Sequence, residues 1–441
     1  MNLVYSNLYK HDGCQAKISP DGLFVANVQE NRLIIRQHNQ GLTIHMVHLL
    51  KNPIDYIEWS PNSEYILSCN YEGGRIHVRS LADKNWHGVI KEDRAAMAKA
   101  MWTADSKNIL YTTELKLLLG IWNLPTLEYK YIRQIKYTDK GIETSPDGNY
   151  IAIARKENGK DCISTYSSST FDLLEHFEVG TVNLQNLKWS PDGMFIAVWD
   201  HCLQHKLLVY RQDGKLCTFY SGYDFGLGIK TVQWSPNSQL IALGNYDQTI
   251  HLISTRDWKL ISILNHPKII KKDTNMRVLE ENALPYLEKN IKSQSEMANF
   301  NWITRRPYEF TLLRSDPKDI NPKVGIGLFQ FSVDSSYIYS RSDSIPNVLW
   351  LWQVKSLECH NVIVFKNQVR QGLWNPLEAH MLAVICGDKN LHFLQPTDDG
   401  EAELITARVP LNEFSIKRAK WNSNGDSLLM MDSELFCLAV L

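Results

Sequence analysis

His201 and His205 stand four residues apart in His-Cys-Leu-Gln-His, a spacing that on a helix would aim two imidazoles at one metal ion. The flanking residues instead read as a strand junction, where that spacing does not bring the rings together, so the metal reading yields to a structural one. The eight cysteines contain no pair at the two-to-four-residue separation of common zinc sites. Cys69 and Cys437 fall inside apolar strand patterns, where a thiol behaves as a small hydrophobe. Asp21, Asp147 and Asp192 could supply paired carboxylates, but each occupies the same place in a recurring turn, which marks a structural role. Gly325-Ile-Gly327 is a two-glycine fragment followed by a strand rather than a helix, too little for a dinucleotide loop. The phosphate-loop, His-Glu-x-x-His and Gly-x-Ser-x-Gly patterns are absent. The expectation is a protein without catalytic residues, metal ligands or cofactor.

Charge points the same way. Lys and Arg total 47 against 48 Asp and Glu, a formal net charge of -1, so no global field draws in nucleic acid or an acidic membrane. Lys268, Lys271 and Lys272 cluster locally and read as a solvated surface. Apolar residues make up 44% and charged residues 22%, the mixture of a folded chain. The N-terminus lacks a basic segment followed by an apolar run, and the longest apolar stretches, such as Leu115 to Trp122, are strand-sized. A soluble, intracellular protein is expected.

One pattern organises the chain: a short apolar strand, then Ser-Pro-Asp-Gly or a looser variant, then a second apolar strand. It begins at Ile18, Trp59, Trp102, Thr144, Trp189, Trp234, Phe331, Trp374 and Trp421. The first five intervals run from 41 to 45 residues, the period of one four-stranded propeller blade. Proline fixes the first turn corner, Asp or Asn bonds the following backbone, and Gly or Ser suits the reversal, so each copy predicts a hairpin. Phe195 to Trp199 and Leu240 to Leu243 are apolar throughout, as inner strands covered on both faces should be. Third strands follow, for example at Leu33 to Arg36 and Leu349 to Trp352, and fourth strands at Thr43 to Leu49 and Leu260 to Leu264.

The predicted class is all-β, a WD-repeat-type propeller. Trp-Asp at the end of the third strand is replaced by Trp122-Asn123 and Trp352-Gln353 and lacks its tryptophan elsewhere, so the Asp-His-Ser/Thr-Trp network of ideal blades should be mostly absent. Tryptophans 59, 102, 189, 234, 374 and 421 share one strand position and read as packing residues. The last unit stops without a fourth strand, and Leu3 to Tyr9 is the segment available to complete it. One domain of about nine blades over residues 1–441 fits this arithmetic; two propellers, the second incomplete, remain the alternative. A 97-residue interval between Trp234 and Phe331 holds an excursion from His266 to Asn321, with a helix read over Leu279 to Ile291 against the objection of Pro285, and a strand at Tyr308 to Leu313.

Beyond the generic repeat, the chain resembles the WD-repeat-protein-eight family of centrosomal and spindle-pole proteins. The matching segments are Ile57-Glu-Trp-Ser60, Ile196-Ala-Val-Trp-Asp200, Leu227-Gly-Ile-Lys230 leading to Trp234-Ser-Pro236, Asn321-Pro-Lys-Val-Gly-Ile-Gly327 and Ile345-Pro-Asn-Val-Leu-Trp-Leu-Trp352. The resemblance implies a non-catalytic adaptor at the spindle pole body or centrosome. It would bind a coiled-coil anchoring protein, work in some settings with a minus-end-directed kinesin, and help tether microtubule minus ends and organise the spindle. It assigns no binding residues. From side-chain type and loop position, the candidates for a partner surface are Tyr223, Asp224 and Phe225 between units, and Tyr286, Trp302, Arg305 and Arg306 in the excursion. A translation or RNA-processing scaffold is the alternative, with an enzyme using an axial pocket behind it.

Overall fold

The computed structural model describes residues 3–13, 15–38, 41–93, 95–114, 118–282, 300–313, 316, 323–397, 402–410 and 414–441. They form two compact units, Tyr9–Gly226 and Met1–Leu8 with Leu227–Leu441. No α-helix occurs among the described residues. The first unit holds five four-stranded antiparallel sheets, and the second holds four more of the same blade type, so nine propeller-type blades are present.

The turn motif explains why the strands form where they do. The Ser19 hydroxyl donates to Asp21 Oδ1 at 2.5 Å and accepts the Phe24 N–H at 2.9 Å, while Asp21 Oδ1 accepts the Leu23 N–H at 3.0 Å. Ser190, Asp192, Met194 and Phe195 repeat this arrangement. The closing residue takes a left-handed φ, 75° at Gly22 and 72° at Gly193, which glycine adopts freely. Ser63 and Ser335 accept the same conformation, at 61° and 66°. Each serine hydroxyl there accepts a backbone N–H from the preceding repeat's turn, Asp21 to Ser63 at 3.0 Å and Asn237 to Ser335 at 3.2 Å. A bond between blades thus offsets the backbone strain.

The recurrent tryptophans do more than fill space. In five of them the indole N–H reaches back to a carbonyl of the preceding blade: Trp59 to Lys17 at 2.9 Å, Trp102 to Glu58 at 3.3 Å, Trp189 to Glu143 at 3.2 Å, Trp374 to Gln330 at 3.3 Å and Trp421 to Leu373 at 3.1 Å. All five are buried. This ladder fixes how neighbouring blades stack where the ideal side-chain network has decayed. A copy of that network survives around His266. His266 Nε2 lies 2.7 Å from Ser340 Oγ, Trp352 Nε1 donates to the same oxygen at 2.8 Å, and His266 Nδ1 lies 2.9 Å from the Gln248 carbonyl, which stands in for the missing carboxylate.

The last sheet comprises Arg418–Trp421, Ser427–Met431 and Leu435–Val440, completed by Val4–Tyr5 from the N-terminus. Val4 pairs with Val440 and Tyr5 with Ala439, and Leu438 N–H donates to Ser6 Oγ at 2.9 Å. The expected closing strand is present and shorter than Leu3 to Tyr9.

The excursion differs most from expectation. Leu279 to Glu281, read as the start of a helix, belong to the strand Arg277–Glu281, Asn282 follows it without helical structure, and the stretch from 283 on lies outside the described residues. This strand adds in parallel to Glu358–Val364, with Val278 opposite Val362, and pairs antiparallel with Phe300–Ile303. The seventh sheet, otherwise Ile326–Phe331, Tyr337–Ser342, Val348–Gln353 and Glu358–Val364, becomes six-stranded. Burial of Val278 and Leu279 rewards this pairing, and a short helix could not also satisfy the open edge of Glu358–Val364. The strand expected over Tyr308 to Leu313 is limited to Tyr308–Glu309, which pairs with Ile269–Ile270. Phe310 turns inward instead, 5.5 Å from the Trp350 ring.

Candidate protein-interaction site

In the unit Tyr9–Gly226, three short connections meet at one end of the sheet made by Leu184–Trp189, Phe195–Asp200, Leu207–Arg211 and Leu216–Tyr220. The buried Asp200 carboxylate organises two of them. It accepts the N–H groups of Val182 and Asn183 at 2.7 Å and of His201 at 2.9 Å, so its charge is met by three backbone dipoles. The third is anchored by buried His205, whose Nδ1 accepts the Gly222 N–H at 2.9 Å and whose ring lies 4.4 Å from that of Tyr223. Tyr223 is therefore half-buried support for its loop, while Asp224 and Phe225 project into solvent.

Phe225 is 93% exposed, and Val182 and Leu203 on the two neighbouring connections are 74% and 69% exposed. Apolar side chains held out on a backbone tied by hydrogen bonds have the form of interface anchors, because their positions are fixed before a partner arrives. Val182 and Leu203 were missed in the sequence. Each is one apolar residue between polar neighbours in a turn, a signal that single exposed hydrophobes share everywhere.

In the unit Met1–Leu8 with Leu227–Leu441, Trp302 lies opposite Leu279 in the excursion hairpin, 47% exposed, with the Arg277 guanidinium 6.0 Å from its ring centre. Arg305 is exposed. Arg306 is committed to its own chain: Nη1 donates to the Ile303 carbonyl at 2.7 Å and Nη2 to the Met276 carbonyl at 2.9 Å, pinning the hairpin. Tyr286 lies outside the described residues.

The residues weighed for chemistry are engaged locally. Asp147 accepts from Ser145 at 2.5 Å, a bond that holds its carboxyl below the usual range. Cys202 Sγ lies 3.6 Å from His201 Nδ1, but among the described residues no group of three or more His, Cys, Asp or Glu is placed to hold a metal ion. Burial pushes the Cys437 thiol up to about 12, and the seven described cysteines are free. No helix among the described residues is long and apolar enough to cross a membrane.

Comparison with known proteins agrees with the blade architecture. The WD domain, G-beta repeat family matches residues 214–254, which run from the fourth strand of one blade through the third of the next. The mouse WD repeat-containing protein WRAP73 is 32% identical over 448 aligned residues, covering 99% of this chain and 96% of that protein. An uncharacterised WD repeat-containing protein of Schizosaccharomyces pombe is 23% identical, covering 82% of this chain and 74% of that one. Among solved structures, the C-terminal WD40 domain of Sif2 superposes with a TM-score of 0.52 at 12% identity, covering 88% of this chain and 95% of that domain. A eukaryotic initiation factor gives 0.57 at 13% identity, covering 90% and 91%. At such identities these two speak to the fold alone.

Proposed function

We propose that this chain, which belongs to the family of WD repeat-containing proteins that includes mouse WRAP73, is a scaffold at the spindle pole body or centrosome, binding a coiled-coil anchoring protein and helping to tether microtubule minus ends. WD-repeat propellers are generally non-catalytic scaffolds, and the coarse reading of this chain as a protein-binding scaffold rests on that fold. The observation that carries the finer reading is the trio Val182, Leu203 and Phe225, exposed together on tied connections. An amphipathic helix of a coiled-coil protein offers apolar side chains at i, i+3, i+4 and i+7, a row that such anchors can engage. The spindle-pole setting and a minus-end-directed kinesin come from the sequence resemblance, and the neutral net charge favours protein over nucleic acid as the partner.

Proximity labelling in dividing cells, comparing the wild-type chain with Val182→Asp/Leu203→Asp/Phe225→Asp, tests the reading. The wild type should label coiled-coil proteins of the pole and concentrate there, and the triple variant should lose both. Equal labelling by the two chains, or a wild type spread evenly through the cytoplasm, would sink it.

A further inference from the structure

A cavity of about 670 Å³ opens in the unit Tyr9–Gly226 between the sheet containing Asn108–Thr113 and Tyr129–Ile132 and the sheet containing Tyr150–Glu157. Its volume is that of a site for a small ligand or a few peptide side chains. The seam between the sheets builds its mouth. Ile135 bridges to Arg155, Lys136 N–H donates to the Ala154 carbonyl at 2.9 Å, and Lys156 N–H to the Gln134 carbonyl at 3.4 Å. Arg133, Lys136 and Lys156 thereby come to line one opening.

These three cations are not equivalent. The Lys136 ammonium is buried and satisfied by Asp161 at 2.6 Å, so its charge is spent within the fold. Arg133 and Lys156 are exposed, and neither side chain has an ion-pair or hydrogen-bond partner among the described residues. The floor has the opposite character. The Glu92 carboxylate, 9% exposed, accepts from the hydroxyls of Tyr111 at 3.3 Å and Tyr131 at 3.4 Å. Thr113 is 1% exposed and lines the cavity, yet its hydroxyl has no hydrogen-bond partner among the described residues. A buried hydroxyl on a cavity wall has hydrogen-bonding capacity left for a group that enters the cavity.

We infer that this cavity binds an acidic peptide segment of a partner protein, its carboxylate held between Arg133 and Lys156 and a neighbouring hydrogen-bonding side chain reaching Thr113 and Glu92. A compact polyanion such as phosphate fits less well, because a carboxylate can only accept and Glu92 already receives the Tyr111 and Tyr131 hydroxyls, so it offers phosphate no donor at the floor. A peptide separates its carboxylate from its neutral side chains and matches both ends. This site is independent of the apolar trio and of the spindle-pole reading.

The test is an array of short fluorescent peptides, each carrying one Asp or Glu among varied neutral residues, measured by polarisation against the full chain. A subset should bind wild-type protein, bind Arg133→Glu/Lys156→Glu at least about tenfold more weakly, and bind Thr113→Val about threefold more weakly. The double variant changes only exposed side chains, and its circular dichroism should match the wild type. Binding that is equal in wild type and double variant, the absence of any bound peptide, or saturable binding of inorganic phosphate at the same residues in place of peptide would each overturn the assignment.

Discussion

Trp59→Phe isolates the tryptophan ladder. The ring of Trp59 is buried and its N–H donates to the Lys17 carbonyl of the preceding blade at 2.9 Å. Phenylalanine keeps an aromatic ring but removes the donor and part of the volume. Loss of the hydrogen bond with its acceptor left in place costs about 1–2 kcal/mol. The residual void adds about 1–2 kcal/mol, for a total of about 2–4 kcal/mol. Trp86→Phe is the control, since Trp86 is 37% exposed, and should cost about 0.5 kcal/mol or less. A chain of two compact units need not unfold in one step, so a local readout is preferable to a melting curve. Hydrogen exchange of peptides spanning residues 16–37 and 56–70 reports the opening of the two blades that the bond joins. Their protection should fall by about 30-fold or more in Trp59→Phe, since 1.4 kcal/mol is a factor of ten. If protection in these segments matched that of Trp86→Phe, the indole bond would be incidental and stacking would depend on apolar contact alone.

Acid should weaken the fold through buried histidines. Burial holds His266 down at about 4 and also lowers His392, so the folded state stays neutral while the unfolded chain takes up protons below about 6.5. Stability from these groups is present above pH 6.5 and falls as the pH drops toward 4, by about 2 kcal/mol for His266 at pH 5; urea titrations at several pH values should show this, and His266→Gln should flatten the dependence. Val278→Ala, at a fully buried position of the excursion strand, should cost about 2 kcal/mol and expose Glu358–Val364 to exchange; unchanged protection there would contradict the six-stranded sheet. Gly148→Ala and Gly159→Ala both force a side chain into a left-handed φ, 74° and 81°, but only the first brings a Cβ to 2.7 Å from Ala104. Gly148→Ala should therefore lose at least about 1 kcal/mol more than Gly159→Ala in thermal or urea unfolding.

The blades were legible because their information is local. A strand, a Ser-Pro-Asp-Gly turn and a second strand lie within about a dozen residues, and the turn bonds of Ser19 and Asp21 involve close neighbours. The closing strand was legible by elimination, since Leu435–Val440 lacked a partner and Val4–Tyr5 was unassigned. The excursion was not. Val278 and Leu279 are apolar whether helical or extended, and the choice is made by Val362 and Ile363, far along the chain. The surviving His266, Ser340 and Trp352 network was hidden in the same way, its members separated by the insertion. Of the candidate surface, the aromatic content singled out Phe225, whose side chain is exposed, but it could not tell Arg305, which faces solvent, from Arg306, which braces its own hairpin. Nor could it place Val182 and Leu203 at the same end of the sheet as Phe225, because the pairing of separate strands and the bonds of Asp200 and His205 to neighbouring turns do that.

Calorimetric titration of a purified coiled-coil anchoring protein into the full chain tests the scaffold claim most directly. Binding to the wild type should be saturable and should fall by about 100-fold or more in Val182→Asp/Leu203→Asp/Phe225→Asp, as expected for removing an apolar anchor cluster. Undiminished affinity in that variant, with its fold intact, would contradict the assignment of these three side chains as the docking surface.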